Sequence, residues 1–83
     1  MWVTTTDGDL VDVRGAWIAR TSVTKPQPFR ILAKFPVGAE YGGSRFASVT
    51  LGSWDHVRER DRVYAVLAKA LRDGEPDMDM SNP

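Results

Sequence analysis

The sequence predicts an α+β domain, a curved antiparallel sheet of about five strands covered by one C-terminal helix. Two observations predict it. From Met1 to Leu51 apolar residues alternate with polar ones in short runs separated by Gly- and Pro-containing turns, whereas from Trp54 to Arg72 they recur at helical spacing.

The first two runs are Met1 to Thr5 and Leu10 to Val13, joined by Thr6-Asp7-Gly8-Asp9. Asp-Gly between β-branched runs is a hairpin signal, because Gly accepts the positive φ of a tight turn. Trp17 to Thr24 alternates as a half-exposed strand, with Trp17, Ala19, Thr21 and Val23 on one face. Lys25-Pro26-Gln27-Pro28 reads as a connection, since each proline lacks a ladder donor. Phe29 to Phe35 is the clearest strand: Phe29, Ile31, Ala33 and Phe35 share a face, and Arg30 and Lys34 share the other. Pro36 to Ser44 is a loop with three glycines, and Arg45 to Leu51 the last strand, with Ala47, Val49 and Leu51 opposite Phe46, Ser48 and Thr50.

At about 100° per residue, Val57, Tyr64, Leu67, Ala68 and Leu71 gather on one side of a helix over Trp54 to Arg72. Ser53 reads as its N-cap. Gly74 reads as its stop, and Pro76 forbids continuation. Beyond it, residues 75–83 carry few apolar groups and read as a disordered acidic tail, leaving residues 1–74 as a single domain.

A chain of 83 residues supports one core and little enclosed volume, which argues against an enzyme. The absence of cysteine removes disulfides, thiol nucleophiles and thiolate metal sites. No apolar run approaches the roughly 20 residues of a membrane span and no signal-peptide pattern opens the chain, so a cytoplasmic location is expected. The formal net charge of zero hides an asymmetry. Asp73, Glu75, Asp77 and Asp79 follow the last basic residue, Arg72, so the part before Asp73 holds eleven basic against seven acidic groups.

His56, the only histidine, could serve as a general base with Asp55 or Asp61 as its partner. Adjacent helical residues point about 100° apart, however, and capping chemistry explains the stretch without catalysis. No catalytic residue, metal site, cofactor or small-molecule ligand is therefore predicted. Arg58, Arg62, Lys69 and Arg72 form a basic stripe that could meet phosphates, although Asp55, Glu59 and Asp61 stand at i,i+3 spacing to pair with its arginines. Val63, Val66 and Ala70 form a second apolar stripe, either the flank of a deeply buried helix or a seam suited to a partner or a second copy, with Val66 its most exposed member. Tyr41, flanked by glycine in "AEYGGSRF", is a candidate contact residue on a loop. Of Trp2, Trp17 and Trp54, at least two are expected to be core anchors.

The order of elements is similar to a cut-down pleckstrin-homology-like barrel, on element order alone. "WVTTTDGDLVDV" and "VTLGSWD" followed by "RDRVYAVLAKAL" together resemble a group of small uncharacterised proteins of bacteriophages and bacteria. These open with an aromatic strand, an Asp-Gly turn and a Leu-Val strand, and end with a Leu-Gly-x-aromatic-Asp junction and a helix. Arg62, Ala65, Val66 and Leu67 fall on the helix portion, while Trp54 stands where relatives have Tyr. The resemblance covers both ends and leaves the Pro- and Gly-rich middle unmatched. It implies a small non-catalytic accessory protein of an actinobacterial phage, acting in the host cytoplasm by binding a host protein, with growth inhibition as one outcome, or by self-association. The alternative is nucleic-acid association through the basic helix stripe.

Overall fold

The first hairpin forms where Asp7-Gly8 places it. Gly8 adopts φ 90°. The turn is closed by the Thr5 N–H on the Asp9 carbonyl (2.7 Å), the Gly8 N–H on the Thr5 carbonyl (2.9 Å) and the Asp9 N–H on the Thr5 hydroxyl (3.1 Å). Strand β1 (Trp2–Thr4) thereby pairs antiparallel with β2 (Leu10–Asp12). The computed structural model describes residues 1–24, 26–37 and 45–82. Strands β3 (Trp17–Ser22), β4 (Phe29–Val37) and β5 (Arg45–Trp54) form a second, wholly antiparallel sheet in the order β3-β4-β5. Strand β4 runs past the expected end at Phe35 and takes in Pro36. Because β3 pairs only as far as Lys34, the sheet is two strands wide at Pro36, a place where a residue without an N–H is tolerated.

Strand β5 also outruns its expected end, because Phe29 and Arg30 on β4 offer ladder partners to Trp54 and Ser53. The helix α1 (Val57–Arg72) consequently starts later than its hydrophobic pattern suggested. Its N-cap is His56, in extended backbone at φ −122° and ψ 131° and without a side-chain capping bond, so the expectation of Ser53 as N-cap is corrected. The C-terminus behaves as expected. Gly74 takes φ 71°, its N–H donates to the Leu71 carbonyl (3.3 Å), and the Glu75 N–H reaches the Ala70 carbonyl (3.0 Å), the paired bonds of a Schellman stop.

The segment expected to be a disordered tail is a strand, β6 (Asp77–Asp79), parallel to β1 and giving a sheet of order β2-β1-β6. The reason lies in its alternation. Met78 and Met80 fall on one face of an extended segment whose aspartates take the other, so two apolar side chains suffice to seat it. The Trp2 N–H donates to the Pro76 carbonyl and the Met80 N–H to the Thr4 carbonyl, both at 2.9 Å. Met80 has no exposed surface. The α+β class therefore holds, but the described residues form six strands in two open sheets, which do not close into a barrel, in place of one five-stranded sheet.

The core lies where the two sheets and the helix meet. Val3, Val13 and Met80 come from the first sheet and its flanks, Ile31, Ala33, Leu51 and Trp54 from the second, and Val63 and Leu67 from α1. Full burial of each large aliphatic side chain contributes about 1.5 to 3 kcal/mol. A bulge in β5 joins the sheets: Gly52 pairs with Ile31 and Thr50 with Leu32, leaving Leu51 as the extra residue, and its carbonyl accepts the Thr6 N–H at 3.0 Å. Gly52 is needed beside it, since a Cβ there would collide with the Trp54 indole. No helix among the described residues is long and apolar enough to cross a membrane.

Candidate functional site

The helix presents a different face to the core than its apolar stripe predicted. Val63, Leu67 and Arg60 are buried, while Val57 and Leu71, expected in the core stripe, are exposed. The cause is Arg60, a charged residue on the buried side. Its Nη1 donates to the Thr21 carbonyl of β3 (3.0 Å), its Nε to Asp61 Oδ1 (2.9 Å), and its guanidinium lies 5.5 Å from the Phe29 ring centroid. Asp61 in turn meets Arg20 Nη1 at 3.5 Å, and the Arg20 guanidinium stacks on Tyr64 at 4.6 Å. An arginine satisfied in this way counts as polar in a periodicity reading but occupies a core position.

This rotation divides the proposed partner seam. Val63 is 1% exposed and belongs to the core, which corrects its expected place on a contact surface; Ala70 is half-buried, and Val66 alone stands out, at 37%. Tyr41 lies outside the described residues. The basic stripe is on the surface, with Arg58, Arg62, Lys69 and Arg72 exposed. Lys69 pairs with Asp73 at 2.7 Å. The i,i+3 pairs expected to neutralise the arginines do not form, and Asp61, one of their three carboxylates, is taken by Arg60 and Arg20. His56 is exposed and its side chain makes no hydrogen bond among the described residues, so no base and orienting carboxylate are brought together there. Among the described residues no cluster of three or more His, Asp or Glu is arranged to hold a metal.

The second sheet supplies a surface that the sequence reading passed over. Its inner face is covered by α1 and the core, and its register defines the outer face row by row. Thr21, Arg30 and Ser53 stand abreast, then Ala19, Leu32 and Thr50, then Trp17, Lys34 and Ser48, with Pro36 beside Phe46 at the end. Trp17 and Phe46 project from the two outer strands, whose backbones are about 10 Å apart. They lean together over β4 until their rings meet edge to face at 5.2 Å. Lys34 Nζ lies 5.3 Å from the Phe46 centroid. The two rings remain 45% and 50% exposed, so this packing leaves much of both in contact with solvent.

The tryptophan expectation is corrected accordingly: only Trp54 is buried, and Trp2 and Trp17 are both close to half exposed. The signal was available. Phe46 alternates with Ser48 and Thr50, and Lys34 falls on the face opposite Ile31 and Ala33; antiparallel pairing of those two polar faces puts an aromatic beside a cation on the solvent side.

On the first sheet, Asp12 accepts both the Arg14 Nε (2.8 Å) and the Arg14 backbone N–H (3.1 Å). These bonds hold its carboxyl below the ordinary carboxylate value and raise the Arg14 guanidinium. Both groups are at the surface, and the pair orders the β2 exit without forming a reactive site. Comparison of the chain with protein-family models, with curated proteins and with solved structures found no match.

Proposed function

We propose that this chain is a small non-catalytic binding module, in keeping with the phage accessory proteins its end motifs resemble, and that it makes contact through the outer face of β3-β4-β5. The observation that carries the reading is the Trp17–Phe46 pair, two large aromatics held together and half-exposed on the face that the helix does not cover. Aromatic residues ordered on a rigid sheet supply contact area at little entropic cost, which is why Trp and Tyr dominate binding energy at interfaces. The helix seam foreseen from the sequence is the weaker candidate, since Val63 is withdrawn into the core and Val66 stands without a second exposed large apolar neighbour in the seam.

Affinity capture from a bacterial lysate tests the reading, with the wild-type chain compared against Trp17→Ser combined with Phe46→Ser. The double variant is expected to keep the wild-type far-ultraviolet circular dichroism spectrum and to lose the captured partner. Nuclease treatment of the eluate and sedimentation of the purified chain sort a host protein, a second copy and nucleic acid from one another. An unchanged captured set with the double variant overturns the assignment of this face.

A further inference from the structure

Charge is divided along this chain more sharply than its net value of zero shows. Residues 13–54, which make up the second sheet and its connections, carry Arg14, Arg20, Lys25, Arg30, Lys34 and Arg45 against Glu40 alone. Every other acidic residue lies in residues 1–12 or 55–83, which supply the first sheet and the helix. On the outer face of the second sheet the described residues of the ladder rows include two cations, Arg30 and Lys34, and no carboxylate. These cations stand four residues apart on the central strand, about 13 Å along it, and the aromatic pair lies beside Lys34. Arg30 is steadied by donating to the carbonyls of Pro26 (3.3 Å) and Gln27 (3.4 Å), so its charge is positioned but not neutralised.

We infer that this face binds single-stranded nucleic acid, with phosphates on Arg30 and Lys34 and a base stacked on the free surface of Trp17 or Phe46. The inference rests on the binding-module reading and gives it a partner. A sheet face that combines ordered aromatics with cations and lacks carboxylates meets both needs of a single strand, since every base offers a π-face and every nucleotide a negative charge. A second copy fits less well. Two of these faces brought together would gather four cations with no carboxylate of the described ladder rows to pair them, and such like-charge juxtaposition opposes association. The neighbouring hydroxyls of Thr21, Ser48, Thr50 and Ser53 add hydrogen-bonding groups that suit phosphate and sugar oxygens.

The test is fluorescence anisotropy of short labelled oligo-dT and oligo-U, with a duplex of equal length, titrated with the full chain at low and at physiological salt. Binding of a single strand in preference to the duplex is expected, with affinity falling against salt at a logarithmic slope of roughly −1.4 for two phosphate contacts. Trp17→Ala or Phe46→Ala should weaken it by roughly 5- to 150-fold, the range for loss of one stacked base. Arg30→Gln with Lys34→Gln touches no core residue and should flatten the salt slope, which keeps the test decisive if an aromatic variant fails to fold. Arg58→Gln with Arg62→Gln should leave binding as it is. A preference for oligo-U over oligo-dT would assign the site to RNA, and the reverse to DNA.

Absence of binding to either strand at low salt overturns the inference, as does binding removed by the helix variants and untouched by the sheet variants. If the oligonucleotides do not bind while the aromatic variants abolish self-association or capture of a protein, the partner inference falls and the binding-module reading stands. If the aromatic variants change nothing in any of these measurements, both fall.

Discussion

The two sheets of this molecule are built by opposite means. The β3-β4-β5 sheet has strands of 6, 9 and 10 residues in chain order, each hydrogen-bonded to the next. The β2-β1-β6 sheet has three strands of 3 residues, and its third comes from the opposite end of the chain. A ladder so short is weak by itself, and an isolated hairpin is marginal in water. What holds the smaller sheet is the row Val11, Val3, Met78 aimed at the core, the Met80 side chain beyond it, and the Thr6 to Leu51 hydrogen bond to the bulge. The larger sheet can thus serve as a platform while the smaller one and α1 close the core beneath it. The acidic groups follow the same division, since all but Glu40 lie in the segments of the closure, whereas the basic groups are shared between the platform and α1.

The largest expected effect breaks the closure. Met80→Ala removes a fully buried side chain and should cost about 2 to 5 kcal/mol, a large part of the stability of a domain this size. Urea unfolding followed by circular dichroism measures it, and hydrogen exchange should show β1 and β2 losing protection before β4. A loss within about 0.5 kcal/mol, the size of a surface substitution, would place the C-terminal segment outside the core and return it to the tail anticipated from composition.

The next effect acts on the platform where it joins the closure. Gly52→Ala puts a Cβ against the Trp54 ring, with Ile31 opposite in the ladder and Leu51 bulged alongside. Overpacking of this kind costs typically about 1 to 3 kcal/mol. Because Trp54 is the one buried tryptophan, its displacement should shift the tryptophan emission to the red, and unfolding should move to lower urea. Wild-type emission together with wild-type stability would show that the ring has room to turn aside.

How far each part was legible in the sequence follows from the same division. The antiparallel strands of the platform announce themselves through local alternation and turns, so their existence could be read directly, as could the Asp7-Gly8 hairpin, whereas the order β3-β4-β5 could not. Their ends could not, because Ser53 and Trp54 extend β5 only on account of partners more than twenty residues earlier. Strand β6 was hidden for the same reason. "PDMDM" is poor in apolar residues when counted by composition, and only the pairing of both chain ends gives Met78 and Met80 a place to go. The helix was legible as a helix but misjudged in rotation, because Arg60 is stabilised in place by a carbonyl, a carboxylate and a ring contributed by other segments or by its neighbour. The aromatic pair lay between these cases. Each ring could be assigned a face from its own strand, and pairing the strands was the step that brought them together.

The smallest effect concerns the edge of the closing sheet. Arg14 holds the Asp12 carboxyl below its ordinary value, chiefly through the side-chain hydrogen bond and then the backbone one. A carboxyl whose folded value is depressed binds its proton more readily in the unfolded chain, where the reference is about 3.9. The stability it contributes is therefore present above that pH and is lost as the pH falls through the lower, folded value. Both side chains meet solvent, so the contribution is small and screened by salt. Asp12→Asn should accordingly lower the urea midpoint slightly at neutral pH and low salt, and the difference from wild type should shrink in strong salt and again below about pH 4. The same substitution should leave the cationic platform and its ligand binding untouched, since Asp12 lies in β2, on the other sheet. A difference that persists unchanged at low pH would show that Asp12 acts through the neutral hydrogen bonds of the β2 exit, for which protonation matters little, and that the ion pair adds nothing to the closing sheet.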